Sequence, residues 1–216
     1  IIITGALGYI GTELCKLYSG FSWKYEVIAI DNRFISERVN ELKRRKIKFI
    51  QADILNFEKI KPYIEKAEIV HHLAGITDVA YVKKESDKVK DELTATVAIK
   101  GTENVLNSMN PDAKIVFPST HVVFEGLKEM RENIDENENT SAFLTYSTSK
   151  IENENQIINS GKKYAIFRLG SVYGFSTDTM RINIMPNLFS KIASQNGKIK
   201  LFGGGTQLKS LVPLID

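Results

Sequence analysis

The sequence contains almost no cysteine and no long hydrophobic run, and both absences restrict what it can be. Its 216 residues include a single cysteine, Cys15, so a disulfide-stabilised secreted domain is excluded and a reducing cytoplasm is the expected location. Cys15 falls in a predicted helix, where it is expected to pack as a small hydrophobic side chain. No apolar run approaches the roughly 18 residues that cross a bilayer, so we expect a soluble protein without a membrane span.

A strong net charge and a metal-ligand pattern are also missing. The 29 basic and 26 acidic residues leave a formal charge of +3, and the basic run at 43–46 lies between a predicted helix and a strand. This position favours a solvated helix end over a nucleic-acid patch. His71 and His72 are neighbours on a predicted strand and therefore face opposite sides of it. With no cysteine nearby, we expect neither a nucleic-acid partner nor a bound metal.

Apolar runs of strand length alternate with stretches of helical periodicity. The predicted strands are Ile1–Thr4, Glu26–Ile30, Ile47–Ile50, Glu68–His72, Ala113–Pro118 and Tyr164–Leu169. The predicted helices are Ile10–Gly20, Ser36–Arg45, Phe57–Ile64, Asp87–Met109 and Tyr146–Ser160. This alternation predicts an α/β fold, a doubly wound parallel sheet of the Rossmann type with helices on both faces. The polar stretch 128–139 is predicted to be a long loop.

The two ends of the chain carry a separate expectation. Residue 1 is isoleucine and already lies in a predicted strand, and the chain stops at 212–216 without a helix after its last apolar run. We therefore expect the chain to be part of a longer protein. Within it, residues 1–170 are predicted to form a cofactor-binding domain and residues 171–216 part of a substrate-binding lobe.

A glycine-rich loop, TGALGYIG at residues 4–11, follows the first predicted strand. Glycine lets the backbone turn tightly and approach a ligand, and the free N–H groups at the start of the next helix favour a phosphate. The loop is therefore a candidate pyrophosphate site, with an ordinary strand-to-helix turn as the alternative. The residues expected to contact the cofactor there are Gly5, Gly8, Tyr9, Ile10 and Gly11.

The second strand ends in an acid. Asp31 comes about twenty residues after the glycine loop, where a carboxylate can accept both ribose hydroxyls of an adenosine. Asp31 followed by Asn32 favours NAD, although Arg33 leaves NADP open. The alternative for Asp31 is a turn or helix-capping acid.

The next two strands end in further candidate cofactor contacts. Carboxyl ends of parallel strands meet at one edge of the sheet, which is where ligands of open α/β sheets bind. We therefore expect five residues at these strand ends to line the cofactor: Asp53, Ile54, Leu73, Ala74 and Gly75.

Three hydroxyl- or amine-bearing residues form a candidate catalytic group. Tyr146 and Lys150 lie one helical turn apart on one face of a predicted helix, and Thr120 follows the fifth strand. A phenol needs a nearby positive charge before it can act as a base at neutral pH, and we expect Lys150 to provide it. The alternatives are a packed tyrosine with a solvent-reaching lysine, and a turn-forming threonine.

In this order the motifs resemble the extended short-chain dehydrogenase/reductase family, nearest to its nucleotide-sugar 4-epimerases and dehydratases. The motifs are TGALGYIG, Asp31-Asn32, Asp53-Ile54, HLAG, Ser119-Thr120, YSTSK and RLGSVYG. The resemblance implies a Rossmann domain that binds NAD, a Thr120–Tyr146–Lys150 catalytic group and a nucleotide-sugar substrate. It also implies a homodimer that associates through the helices predicted at 87–109 and 146–160.

The same resemblance places substrate contacts in the last part of the chain. They are Thr120, Ser171, Asn183, Phe202 and Lys209, and residues 200–205 look like the strand and loop beside the nucleotide base. Three positions depart from the family pattern: Ser171 replaces an asparagine, Lys209 stands where an arginine usually clamps the diphosphate, and Glu125 is inserted into the Val-Tyr-Gly segment after Thr120. Lysine cannot make arginine's bidentate phosphate contact.

The reaction implied is reversible oxidation of a sugar hydroxyl, in its simplest form epimerisation at C4 through a transient 4-keto sugar. Dehydratases of this fold carry Asp-Glu after the threonine, whereas this chain has His121 and Val122, which disfavours water elimination. A nucleotide-sugar reductase or dehydrogenase is the alternative enzyme. A non-catalytic NAD-sensing protein is the alternative from another class.

Overall fold

A six-stranded parallel sheet forms the centre of the chain, and a separate two-stranded sheet lies in its last part. The computed structural model describes residues 1–77, 87–129, 131–176, 179–201, 203–206 and 208–216. The strands of the main sheet are β1 (Ile2–Thr4), β2 (Ile28–Asp31), β3 (Lys48–Gln51), β4 (Ile69–His72), β5 (Lys114–Thr120) and β6 (Lys163–Leu169). The helices are α1 (Tyr9–Ser19), α2 (Ser36–Arg44), α3 (Phe57–Ile64), α4 (Lys88–Ser108), α5 (Thr145–Asn159) and α6 (Met185–Ser194).

The main sheet has the order β3-β2-β1-β4-β5-β6, and each neighbouring pair is parallel. The chain winds outward from β1 to β3, returns to β4 beside β1, and then winds the other way. The strand order therefore reverses between β1 and β4, and a crevice opens there at the carboxyl edge of the sheet. The predicted doubly wound Rossmann sheet is confirmed.

Two hydrophobic clusters cover the two faces of this sheet. Adjacent residues of β1 face different clusters. Ile2 packs in the cluster with residues of α3, α4 and α5, whereas Ile3 packs in the cluster with residues of α1 and α2. Side chains alternate along a strand, so a strand buried on both faces needs a continuous apolar run rather than an alternating one. The run at the start of the chain satisfies this requirement.

β5 extends further than predicted. The prediction ended this strand at Pro118, a residue that lacks the N–H a central strand uses. Pairing of β5 with β4 ends at Val116, whereas pairing with β6 continues to Thr120 opposite Leu169. Pro118 therefore lies where only one side of β5 is still paired, and Thr120 becomes the last residue of the strand. β2 is also displaced, beginning at Ile28 and ending at Asp31.

The last part of the chain holds elements that the sequence did not predict. β7 (Ser171–Tyr173) pairs in parallel with β8 (Leu211–Pro213), and α6 begins with Pro186 in its first turn. The prediction that a strand begins at Lys200 is wrong, since residues 198–201 have no regular structure. The domain boundary at residue 170 stays a prediction.

Two smaller predictions are confirmed. Cys15 is fully buried in the α1–α2 cluster, and burial raises the pKa of its thiol to about 12, which makes it a packing residue. Arg44 and Arg45 of the basic run pair with Glu41 at the end of α2. Within the described ranges, no helix is long and apolar enough to span a membrane, and no three metal-binding side chains cluster.

Candidate active site

The glycine loop occupies the crevice beside β1, in a conformation that requires glycine. Gly5 has a φ of +67°, and a Cβ there would lie 2.7 Å from the Ala74 nitrogen. At Gly11 a Cβ would lie 2.3 Å from the Gly5 carbonyl oxygen, so this glycine lets α1 approach the end of β1. Gly8 precedes α1 and has no side chain to cap the helix. The first N–H groups of α1 are therefore left to a ligand.

We expect Gly5→Ala to lower the free energy of unfolding by about 2 kcal/mol or more, because alanine is strained at positive φ and its methyl group would meet the Ala74 backbone. Urea denaturation measures the change. Gly75→Ala is the matched control, since a Cβ at Gly75 has nothing within 4 Å and should cost little. Equal losses in the two variants would contradict this account of the loop.

Asp31 joins the glycine loop to the end of β2. Its buried carboxylate accepts a hydrogen bond from the Leu7 N–H at 3.0 Å. It also accepts from the Arg33 N–H at 3.0 Å and from Arg33 Nε at 3.1 Å. The sequence predicted the position of this carboxylate at the sheet edge, but not that it would already be engaged by the loop and by Arg33.

The residues predicted after β3 divide between the sheet edge and the core. Asn32 donates to the Asp53 carboxylate at 3.1 Å, so these two are brought together next to Asp31. Ile54 instead is 5% exposed and packs in the core, where its side chain would collide with any Cβ at Gly101. The side chain of Ile54 therefore does not line the crevice as predicted.

A buried hydrogen-bond chain holds the backbone at the end of β4. The Ala74 N–H donates to Thr4 Oγ1 at 3.2 Å, Thr4 contacts His72 Nδ1 at 2.9 Å, and His72 Nε2 contacts Thr102 of α4 at 3.0 Å. Burial lowers the pKa of His72 to about 3, so it stays neutral. The chain fixes Leu73 and Ala74, which pack against Gly5, while Gly75 is exposed.

Thr120 and Tyr146 come together at the carboxyl end of β5. Thr120 is near enough for its hydroxyl to interact with the Tyr146 phenol and lower its pKa, and Thr120 is 8% exposed. Lys150 follows Tyr146 by one turn of α5. Its ammonium donates to the Pro118 carbonyl at 2.9 Å and lies 4.3 Å from the centre of the Phe117 ring. The predicted catalytic group is therefore assembled at one place, although its three roles stay predictions.

The charge beside Tyr146 differs from the prediction. Burial raises the pKa of the Tyr146 phenol, and the influences that lower it are first the Arg181 cation and then the hydrogen bond with Thr120. Lys150 lies 5.9 Å from the centre of the Tyr146 ring, and burial lowers its own pKa to about 8. Lys150 is partly exposed as a whole residue, but its ammonium end is enclosed. Arg181 is thus a cation that lowers the pKa of Tyr146 in this structure, and the predicted influence of Lys150 stays a prediction.

Glu125, the inserted residue, fastens the start of α5. Its Oε1 accepts hydrogen bonds from the N–H groups of Phe143 at 3.2 Å and Leu144 at 2.9 Å, and from the Ser147 hydroxyl. Leu144 has no polar side chain with which to cap α5. A carboxylate at this end of a helix satisfies free N–H groups and complements the helix dipole. Glu125 therefore sets the position of the helix that carries Tyr146.

We expect Glu125→Ala to lower the free energy of unfolding by about 2 kcal/mol, because three donors to one charged acceptor lose their partner. Thermal and urea unfolding measure the loss. Glu132→Ala provides the comparison, since Glu132 is an exposed acid of the following loop and should unfold like the parent. A Glu125→Ala variant as stable as the Glu132→Ala variant would contradict the capping role.

The predicted substrate residues are only partly brought together. Ser171 begins β7, and its N–H donates to the Ser210 carbonyl at 2.8 Å, which places exposed Lys209 beside the start of the same small sheet. Asn183 lies before α6 and accepts from Arg181 Nε at 3.1 Å. Phe202 lies outside the described residues.

The segment between β7 and α6 is held against the glycine-loop helix. Tyr9 donates to the Gly174 carbonyl at 2.6 Å, so this predicted cofactor contact uses its hydroxyl to fasten the segment, and neighbouring Ile10 is only partly exposed. Buried Asn187 accepts from the Gly174 N–H at 3.0 Å and donates to the Arg181 carbonyl at 2.9 Å. Sequence reasoning missed Arg181 and Asn187, since neither lies in a recognisable motif.

Two kinds of sequence comparison bear on this site. The sequence profile of the NAD dependent epimerase/dehydratase family matches residues 1–213. The chain belongs to this family. Among curated relatives, it is 28% identical over 180 residues to the dTDP-D-glucose 4,6-dehydratase of Dictyostelium discoideum, which covers 79% of this chain and 38% of the relative. It is 35% identical over 88 residues to the UDP-glucose 4-epimerase of Bacillus subtilis, covering 37% and 25% of the two chains.

Solved structures show the same fold. A variant of the UDP-glucuronic acid 4-epimerase of Bacillus cereus, solved with UDP-4-deoxy-4-fluoro-glucuronic acid and NAD, superposes with a TM-score of 0.83 at 23% identity. The UDP-glucose 4-epimerase of Thermotoga maritima, solved with UDP-glucose, gives 0.81 at 22% identity. Each superposition covers 99% of this epimerase/dehydratase chain and 69% of the other. The matched segments span only about a quarter to two fifths of the curated relatives.

Proposed function

We propose that this epimerase/dehydratase chain carries out NAD-dependent epimerisation of a nucleotide-diphosphate sugar at C4, through a transient 4-keto sugar. The observation that carries the proposal is the position of Thr120 and Tyr146, whose side chains interact, at the same sheet edge as the glycine loop. A hydroxyl activated beside a dinucleotide site is suited to oxidation and reduction of an alcohol.

The residues at the crevice fit NAD. A Cβ at Gly5 or Gly11 would collide with backbone, and the uncapped start of α1 suits a pyrophosphate. The Asp31 carboxylate would hold the adenosine ribose, Asp53 the adenine, and Ala74 and Gly75 the middle of the cofactor. When bound, NAD supplies an acceptor and donor of hydride.

The chain's own residues supply the acid–base part of the reaction. Tyr146, as a phenolate, removes the proton of the C4 hydroxyl and later returns it. Thr120 positions that hydroxyl, since its own hydroxyl already contacts Tyr146. Lys150 holds the nicotinamide ribose, and Arg181 favours the phenolate by its charge. Ser171, Asn183, Phe202 and Lys209 are proposed to bind the nucleotide and sugar.

Epimerisation is favoured over dehydration by the first turn after Thr120. This 3-10 turn, His121–Phe124, contains no acidic residue, and His121 Nδ1 donates to the Leu169 carbonyl at 3.1 Å. Elimination of water needs an acid and a base at the neighbouring carbon. Valine at position 122 can serve as neither.

The test is to incubate the full-length protein with UDP-glucose, UDP-glucuronic acid and dTDP-glucose, and to follow the sugars by NMR. We expect the C4 epimer of one of them to accumulate without net formation of NADH. Stoichiometric NADH with a keto sugar would instead indicate a dehydrogenase, and loss of water a dehydratase. NAD binding with no change in any sugar would indicate a non-catalytic NAD-binding protein.

A homodimer and a cytoplasmic location stay predictions. Support for the dimer comes from large apolar side chains exposed on its predicted helices, Val89 and Leu93 on α4 and Ile158 on α5. Burying such side chains between two copies removes apolar area from water. Light scattering would give the mass in solution.

A further inference from the structure

A partly buried ion pair lies behind the predicted catalytic lysine. Glu154 follows Lys150 by one turn of α5 and is 5% exposed. Arg168 of β6 donates from Nη2 to Glu154 Oε2 at 2.8 Å and from Nε to Oε1 at 3.1 Å. The Ser119 hydroxyl of β5 also donates to Oε1. The carboxylate is thus held by two neighbouring strands, at the residue next to Thr120.

The charged form of Lys150 needs a negative charge nearby, because the residue's ammonium group is enclosed by protein. On β5 the Lys150 ammonium contacts the Pro118 carbonyl and the Phe117 ring, and neither carries a negative charge. Burial favours the neutral amine and lowers the pKa of Lys150 to about 8, and the charge of Glu154 opposes that fall. Lys150 would otherwise lose its proton close to neutral pH.

We propose that Glu154 is a positioning residue that keeps Lys150 in its charged form, and that Arg168 limits how strongly it does so. The inference deepens the proposed function, since it rests on Lys150 acting as a cation. Glu154 itself touches neither of the hydroxyls of the Thr120–Tyr146 pair and acts through Lys150.

The surrounding charges leave this role to Glu154. The ionisable groups that face Lys150 are His72 on β4, Tyr146 on α5 and Glu154 on α5. His72 is neutral because burial lowers its pKa to about 3, and burial raises the pKa of the Tyr146 phenol. Arg168 faces Glu154, and the charge of Glu136 also raises the pKa of Arg168.

A role confined to stability does not explain the arrangement well. A buried ion pair often contributes less to stability than apolar residues of the same volume, because both charges lose their hydration. Arg168 keeps 23% of its side chain exposed, whereas that of Glu154 is 7% exposed. The carboxylate is therefore the more desolvated partner, and its field reaches Lys150 through protein rather than through water.

The test measures the protonation of Lys150 directly. The full-length protein is labelled with ε-¹³C lysine, the Lys150 resonance is assigned from its absence in Lys150→Arg, and its shift is followed from pH 6 to 11. We expect a midpoint near 8 in the parent and a midpoint lower by about one unit or more in Glu154→Gln. Glu152→Gln removes an exposed acid of the same helix and should leave the midpoint unchanged.

Arg168→Met provides the opposite change. Without the guanidinium, Glu154 acts on Lys150 unopposed, and the midpoint should rise by about one unit. Loosened packing would move both variants in the same direction, so opposite shifts separate a charge effect from a structural one. An unchanged midpoint in Glu154→Gln, or shifts of one sign in both variants, would overturn the proposal. If Glu154→Gln does not fold, the Arg168→Met variant decides alone: a higher Lys150 midpoint supports the proposal, and an unchanged or lower midpoint refutes it.

A second measurement connects this charge to turnover. If the sugar reaction occurs, the alkaline limb of the kcat/KM profile should move to lower pH in Glu154→Gln and to higher pH in Arg168→Met. Each displacement should equal the shift in the Lys150 midpoint of the same variant. An alkaline limb that stays fixed while the resonance moves would refute the need for a charged Lys150. The titration itself needs no turnover, so failure of the sugar reaction would count against the proposed function alone.

Discussion

Tyr146→Phe is expected to lower kcat about a thousandfold for any sugar that the protein turns over. The change removes one oxygen, the atom proposed to take the proton from the substrate hydroxyl. It also ends the interaction between the Thr120 and Tyr146 hydroxyls, so the substrate hydroxyl loses part of its positioning. NAD affinity and stability should change little, because the ring still fills its place on α5.

The measurement is the rate of epimer formation, with NAD affinity and urea unfolding determined on the same preparation. Tyr164→Phe is a suitable control, since Tyr164 is an exposed residue of β6 near its start, at the opposite edge of the sheet. It should react like the parent. Full activity of Tyr146→Phe would eliminate the assigned base, and an equal loss in both variants would eliminate the assigned mechanism.

Asp31→Asn is expected to weaken NAD binding about a hundredfold. The asparagine amide keeps one acceptor oxygen but loses the charge and the second acceptor, so two charge-assisted hydrogen bonds to ribose hydroxyls, each contributing about 1.5 kcal/mol or more, are lost or weakened. The buried carboxylate also accepts from the Leu7 N–H of the glycine loop, so the loop loses an anchor. The variant should discriminate less against NADP, because the charge that repels a 2′-phosphate is gone while Arg33 remains.

Calorimetric titration with NAD and NADP measures both effects. Asp112→Asn, an exposed acid in the turn before β5, serves as the comparison and should bind both cofactors as the parent does. Unchanged NAD affinity in Asp31→Asn would mean that the acid serves only as an anchor for the loop. That result would revive the simpler interpretation of Asp31 as a turn residue.

The periodic parts of the fold were predictable because their signals are local. Helix α3 has the predicted bounds, and the other four predicted helices differ by one residue at one or both ends. The strand limits were less accurate, as at Pro118, since the end of a strand depends on which neighbours are still paired. The short strands β7 and β8 are distant in sequence and form only by pairing with each other, so no local pattern predicts them.

In the candidate site, too, local motifs predicted some positions, and packing between distant elements decided others. Gly5, Asp31 and Tyr146 stand in motifs whose spacing places them at the carboxyl edge of a parallel sheet. Ile54 stands in such a motif too, but its side chain packs into the core, because neighbouring residues after a strand face different sides. Glu125 departs from the family pattern in sequence and is a helix anchor in the structure.

The sequence by itself determined the family-level architecture: a parallel sheet, a glycine loop at its switch point and a Thr–Tyr–Lys group at one edge. These features follow from periodicity and from short spacings, which the backbone geometry converts directly into positions. Only the tertiary structure decided which charges meet. The charge of Arg181 acts on Tyr146 and Arg168 pairs with Glu154, because electrostatic partners are set by distance and burial, and these depend on packing between elements far apart in the chain.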